Sequence, residues 1–343
     1  MKKYITYIIL GSLLQGSCQE KKMENKTSFV YSMEISAPRE YPVEVHEGVL
    51  SNGKNFISAI PKAGIARSGW GFGGADAGMK ASGIPNHLEL TWISYAEKKF
   101  WKVDTALPEE KILALFQKGY KYIDNLNVEH QDTYKKLVIG LAPGGVVVVW
   151  LQGVFNVEIG RFQAKEIYVN KLDFQPVKDH EESQEEYFVT GFNIVVPQEA
   201  QENIKKEGIP FGLWDEYRVK YNWRFHTLSY KGGVEEVVTF KFTQYFNGEC
   251  AVFFKDAVVK NNYNLQAVPY RSDFTYKDYS SSVEFNEKEI FAAFKALTQK
   301  HINKPIEIIV KVTFMYKGLS FIVKCENDEI PLKNVKVKMY TNS

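Results

Sequence analysis

The chain has 343 residues, of which 45% are hydrophobic, 14% aromatic and 24% charged, a composition that excludes a fibrous or generally disordered polymer. Two domains are expected, because one domain usually holds about 100–150 residues, and a chain this long builds a core without disulfide or metal staples. The 43 basic residues against 41 acidic ones include Lys2 and Lys3; without that pair the charges balance, which removes the simplest electrostatic case for nucleic-acid binding.

The first segment reads as an export signal. Lys2 and Lys3 give a basic start, Ile5, Ile8, Ile9, Leu10, Leu13 and Leu14 an apolar stretch, and Gly16-Ser17 a small-residue approach to Cys18. The stretch is shorter than the roughly 20 apolar residues of a membrane-spanning helix, and no later run reaches that length. Cys18 resembles the cysteine that bacterial lipoproteins carry, acylated with chains such as palmitate, at their mature N terminus, although Gln15 stands where such signals usually have Leu. Two or more acyl chains hold a body stably on a membrane, each buried CH2 being worth about 0.8 kcal/mol. Residues 1–17 are therefore expected to be a signal peptide and 18–29 a polar tether. The body is expected in the bacterial cell envelope, lipid-anchored and facing the periplasm; ordinary secretion and an unprocessed chain are the alternatives. Export permits a disulfide, but the spacing of Cys250 and Cys325 does not show that their Cα atoms approach, and two buried thiols are the favoured reading.

Val30 to Ile35 and Pro42 to Val45 read as short strands. Between Gly64 and Pro85 lie Gly64, Gly69, Gly71, Gly73, Gly74, Gly78 and Gly83, a density that excludes a regular helix and predicts a loop, either plain or shaped to meet a ligand or partner. Arg67, Trp70 and Phe72 are its candidate partner-binding residues, with packing of the rings onto the body as the other reading. Leu88, Leu90 and Trp92 alternate as in a half-buried strand, and Trp101, Val103 and Thr105 mark the apolar face of the next. Pro108-Glu109-Glu110 opens a helix whose Ile112, Leu115 and Phe116 make one stripe and whose stop is Gly119. Leu137-Val138-Ile139 and Val146 through Trp150 flank Ala142-Pro143-Gly144-Gly145, the pattern of a hairpin. Glu158 to Val169 is expected to begin as a strand and continue as a helix, and Lys178 to Glu186 to be a charged loop. A helix around Glu199 to Lys206 stops at Gly208-Ile209-Pro210. Strands follow at Trp223 to Leu228, Val237 to Phe242 and Ala251 to Phe254, the last two joined by an Asn247-Gly248 turn. Asn286 and Glu289 form a capping box before a helix over Glu287 to Lys300, and strand-like Ile306 to Phe314 and Leu319 to Lys324 flank a turn.

The helix, strand, turn, strand order of 108–151 thus recurs at 287–324. An internal duplication and two unrelated units both fit. The predicted class is α+β: two β-rich domains, each an antiparallel sheet with one main helix on a face, over 30–177 and 211–343, with 178–210 connecting them.

Chemistry-bearing patterns are sparse. His46, His87, His130, His180, His226 and His301 show no compact metal spacing, no Cys-x-x-Cys occurs, and no GxSxG elbow or phosphate-binding glycine motif is present. No catalytic, cofactor-binding or metal-ligating residue is therefore assigned, no cofactor is expected, and a hydrolase with a fold-assembled site stays a minor alternative. Trp92 and Trp150 read as core anchors.

Leu88-Glu89-Leu90-Thr91-Trp92, Phe100-Trp101-Lys102, Leu107-Pro108, Leu141-Ala142-Pro143-Gly144-Gly145, Trp150 and Glu158-Ile159-Gly160-Arg161-Phe162 resemble a bacterial lipoprotein family of unknown function, DUF2931. Trp223-Arg224 extends the likeness into the second half. The resemblance implies an exported, often lipidated protein, and some relatives resemble immunity lipoproteins encoded beside antibacterial effectors. It therefore suggests a protein partner, specifically an incoming effector toxin; carbohydrate or cell-wall binding is the alternative.

Overall fold

The computed structural model describes residues 26–53, 55–62, 64–74, 80–175, 182–259 and 261–342. The export signal, Cys18, part of the glycine-rich segment, Lys178 and His180 lie outside the described residues. The fold is α+β and rich in strand. The chain divides into two compact units, residues 1–120 with 131–214 and residues 121–130 with 215–343.

The strands of unit 1 are β1 (Val30–Ser36), β2 (Val43–Asn52), β3 (Asn55–Ala59), β4 (Ile65–Ala66), β5 (Lys80–Ser82), β6 (His87–Ser94) and β7 (Lys99–Ala106), followed by helix α1 (Glu109–Lys118). After the hairpin β8 (Tyr120–Ile123) and β9 (Glu129–Asp132), most of which belongs to unit 2, come β10 (Lys136–Ala142), β11 (Val146–Gln152), β12 (Asn156–Gln163) and β13 (Lys165–Ile167). Two layers result: β5-β1-β10-β11-β12 and β13-β7-β6-β2-β3, with β4 on β2. The sheets are not all antiparallel as expected, because β1 and β10 run parallel, Met33 opposite Leu137. Side chains at every second position meet between the layers: Tyr31, Met33 and Ile35, Leu88, Leu90 and Trp92, and Leu137, Ile139 and Leu141. Helix α1 adds Ile112 and Phe116, both fully buried, at the i, i+4 spacing its stripe predicted. Burying side chains of this size contributes about 1.5–3 kcal/mol each.

Glu158 to Val169 contains no helix. Strand β12 pairs with β11, and after Ala164, whose amide donates to the Gly145 carbonyl at 2.8 Å, β13 pairs with β7 in the other layer. A strand that changes sheets inverts its buried face, which breaks the alternation that a sequence reading follows. The acidic run before Tyr187 is likewise more than a loop. Ser183 accepts from the Glu186 amide and Glu186 reaches back to the Ser183 amide, so a capping box starts α2 (Gln184–Val195). Helix α3 (Gln198–Glu207) follows and stops at Gly208, whose φ of 79° suits glycine. Phe192, Val195, Val196 and Ala200 from this pair cover Ile93 and Phe100, so these two are buried on the strand faces opposite Trp92 and Val103.

Unit 2 contains β14 (Lys220–Leu228), β15 (Phe240–Tyr245), β16 (Cys250–Phe254), β17 (Asn264–Ala267), β18 (Pro269–Thr275) and β19 (Tyr279–Glu284). It continues through α4 (Glu287–Lys300), β20 (Ile306–Val312), β21 (Leu319–Cys325), β22 (Asp328–Leu332) and β23 (Lys336–Thr341). Its layers are β17-β14-β20-β21-β22, with β14 parallel to β20, and the antiparallel set β23-β19-β18-β15-β16. Asn286 caps α4 by accepting from the Glu289 amide at 3.0 Å. The expected reciprocal bond is replaced: the Glu289 carboxylate accepts from the Lys333 and Asn334 amides at 2.6 and 2.9 Å, tying the helix start to the chain after β22. Cys250 and Cys325 are buried thiols in different layers, and burial pushes the Cys325 thiol up. No described helix is long and apolar enough to cross a membrane.

Candidate functional site

In unit 1 the glycine-rich loop lies on the outward side of β1. Gly69 and Gly74 amides donate to the Ala37 and Ile35 carbonyls at 3.0 Å, the Ser36 hydroxyl donates to the Gly69 carbonyl at 2.8 Å, and Asn156 Nδ2 donates to the Gly71 carbonyl at 3.0 Å. Beneath it sits Glu34, 3% exposed and paired with Lys136 at 2.6 Å. A Cβ at Gly73 would lie 2.6 Å from Glu34 Cβ, so only glycine permits this approach.

The candidate residues of this loop divide. Trp70 is 9% exposed, its ring 5.1 Å from that of Trp150 and 6.4 Å from that of Trp214. It closes the layer rather than presenting a face outward. Phe72 is half-buried, and its carbonyl accepts from the Ser68 hydroxyl at 2.5 Å. Arg67 alone is exposed; with Ile35, Val45, Ile65 and Ser68 it lines a cavity of about 220 Å3. Cys18 lies outside the described residues. Trp92 and Trp150 are both fully buried in the core.

Unit 2 carries two features that sequence reading did not single out. The first is a polar pocket between its two layers, lined by Arg224 and Phe225 of β14, Lys241, Thr243 and Tyr245 of β15, and Asn261. Lys241 is half-buried, donates to Asn261 Oδ1 at 3.2 Å and lies 4.9 Å from the Phe253 ring centre. Burial lowers its ammonium to about 8. Arg224 donates to Glu307 at 2.6 and 3.0 Å and stacks 4.6 Å over the Tyr263 ring, while the Tyr263 hydroxyl donates to the same carboxylate at 2.8 Å. Although burial acts to raise the Glu307 carboxyl, the bonds from Arg224 and Tyr263 hold it below its ordinary value. His226 stands 3.4 Å from both Glu307 and Glu235. The sequence predicts a strand over Val237 to Phe242 without assigning its faces. In the structure Lys241 alternates with Thr243 and Tyr245, both buried, and stands opposite the buried Phe274, which puts it on the inward side of β15.

The second feature is an aromatic tip. Tyr316 stacks on Tyr279 with centres 4.5 Å apart, and Tyr230 meets Phe314 at 5.6 Å and Tyr316 at 6.0 Å. Phe314 is 65% exposed, Met315 59% and Val234 60%. Met315 and Tyr316 both have φ of 55°, a left-handed conformation that costs side-chain-bearing residues about 1–2 kcal/mol each. Among the described residues no three His, Cys, Asp or Glu side chains are grouped to hold a metal ion.

Compared with known proteins, residues 18–212 match the family described as "Protein of unknown function (DUF2931)". The match stops two residues short of the unit boundary at Trp214, so it takes in nearly all of unit 1 and does not reach Trp223-Arg224. No curated protein and no solved structure matches the chain.

Proposed function

The chain belongs to the DUF2931 family, and on that premise we propose that it is a lipid-anchored envelope protein whose body binds a protein partner. The anchor rests on Cys18 after its basic and apolar leader. The binding role rests on the aromatic tip of unit 2, where exposed Phe314, Met315 and Tyr230 surround a strained turn. Exposed aromatic side chains on a rigid support are the usual anchors of protein interfaces. The partner class that this reading names is an antibacterial effector arriving in the periplasm, with the chain as its immunity protein.

We propose further that the two units arose by duplication. With β4 and the β8/β9 hairpin set aside, the ladders of unit 1 and unit 2 taken in chain order have the same neighbours and senses, down to the parallel pairs β1/β10 and β14/β20. Ile112 and Phe116 of α1 recur as Ile290 and Phe294 of α4, and Tyr31 against Phe116 at 5.5 Å recurs as Tyr221 against Phe294 at 5.2 Å. Low letter identity is compatible with this, since the shared requirement is only the apolar pattern.

The test is protection. Deleting the gene is expected to sensitise cells to a neighbouring effector, and restoring it with Cys18→Ala is expected to leave protection weakened. Purified body should bind the same effector, and Phe314→Ala with Met315→Ala should weaken that binding at least tenfold. Full resistance after deletion, or binding unchanged by both substitutions, would refute the reading. Saturable binding of a glycan through the same tip would replace it with carbohydrate recognition.

A further inference from the structure

We infer that the pocket between the layers of unit 2 is a binding site for a single carboxylate group, held by Lys241. This inference is independent of the immunity reading and concerns a different surface.

The charge inventory carries it. Among the described residues Lys241 has no carboxylate within ion-pair distance; its partners are one amide oxygen and one ring face. Arg224, the other cation lining the pocket, is already matched by Glu307. The pocket therefore holds one uncompensated positive charge in surroundings that penalise it. A lysine facing a core is costly unless something recovers that cost.

The corresponding position in unit 1 sharpens the point. Lys241 lies opposite Phe274 in the β15/β18 ladder and opposite Phe253 in the β15/β16 ladder. In unit 1, counting back from the main helix in the same way, Gly48 stands opposite Leu90, and its carbonyl accepts from the Ile60 amide. A Cβ there would sit 2.7 Å from both Ile60 and Leu90, so the space is filled with apolar atoms. The same architecture thus closes without a cation. In unit 2 a cation and an open volume take the place of that packing.

Size and surroundings define the ligand. The pocket offers about 50 Å3, where one water needs about 10–15 Å3, so a carboxylate and one attached carbon fit and a nucleotide does not. One net charge suits a monovalent anion. Asn261 fixes the ammonium on one side, and its own Nδ2 donates to the Phe225 carbonyl, so the amide cannot swing away. The carboxylate can come from a free small acid or from the end of a peptide.

The experiment follows the Lys241 side-chain CεH2 signals by NMR in the full body while acetate, acetamide, sulfate or N-acetylglycine is added. Acetate is expected to give a saturable shift, acetamide none, and sulfate no competition. Because the ammonium is the binding form, affinity at pH 9 should be about tenfold weaker than at pH 7, given titration near 8. The other groups facing it do not titrate in that window. Glu307 is held low, Arg224 is raised and Tyr245 is pushed well above its usual range. Lys241→Gln should abolish the response, and the wild-type titration is decisive even if that variant misfolds. Tighter binding of N-acetylglycine than of acetate assigns the source to a peptide end; equal binding assigns it to a free acid. A linear, unsaturable shift, or equal shifts with acetate and acetamide, would overturn the inference.

Discussion

Replacing Gly140 by alanine puts a methyl group into a layer with no space for it. The new Cβ would lie 2.6 Å from Trp150 Cη2 and 2.9 Å from Trp70 Cζ3, whereas carbon pairs are comfortable at about 3.5–4.0 Å. One ring must retreat by roughly 1 Å. Trp150 stands in β11, paired on both sides by β10 and β12, so it yields less readily than Trp70 on its loop. Overpacking of this kind costs about 1–3 kcal/mol. Trp70→Ala alone removes a buried indole and should cost about 3–5 kcal/mol. In the double variant the vacated space lets Trp150 shift, so the alanine at 140 should cost about 1 kcal/mol or less. The two effects then fail to add by about 1–2 kcal/mol. Urea unfolding of the four proteins measures this, with hydrogen exchange on β10 and β11 isolating unit 1, because two units need not unfold together. Additivity within about 0.5 kcal/mol would show that Trp70 does not seat against Gly140, and the loop would no longer be a closed cover over Glu34.

Four further outcomes follow from local geometry. Asn286→Ala should cost about 1 kcal/mol by uncapping α4, and Glu289→Ala should loosen the segment at Lys333 and Asn334, seen as faster exchange of those two amides. Met315→Gly removes an exposed side chain from a left-handed position and should stabilise unit 2 by about 1 kcal/mol while weakening partner binding; a loss of stability would show that the turn is not strained. Glu307 is held below its ordinary 4.5, so its contribution is complete above that value and is lost as pH falls through the lowered one. Glu307→Gln should therefore flatten the acid limb of a stability-against-pH curve below about pH 4.5, and an unchanged limb would refute the pairing with Arg224.

Elements whose signals are local were readable from the residues. Helix α4 runs over the predicted Glu287 to Lys300 because Asn286, the Ile290–Phe294 stripe and the residues after Lys300 act within a turn of the backbone. The β10/β11 hairpin was legible for the same reason: Pro143-Gly144-Gly145 supplies two left-handed glycines between apolar runs. Misreadings arose where a distant partner decides. Strand β13 exists because β7 receives it. One local signal was also missed: the Ser183 capping box lies inside an acidic run whose composition resembles a solvated loop.

The amino-acid sequence by itself determined the α+β class, the positions of α1, α3 and α4 and the family, because periodicity, caps and turns are written in neighbouring residues. It did not determine which face of β15 looks inward, and so could not show that Lys241 stands opposite Phe274 between two sheets or that Trp70 leans on Trp150. Those facts depend on the pairing of strands far apart in the chain. Such pairing is set by the burial of whole surfaces, a sum over the fold that no local window of residues contains.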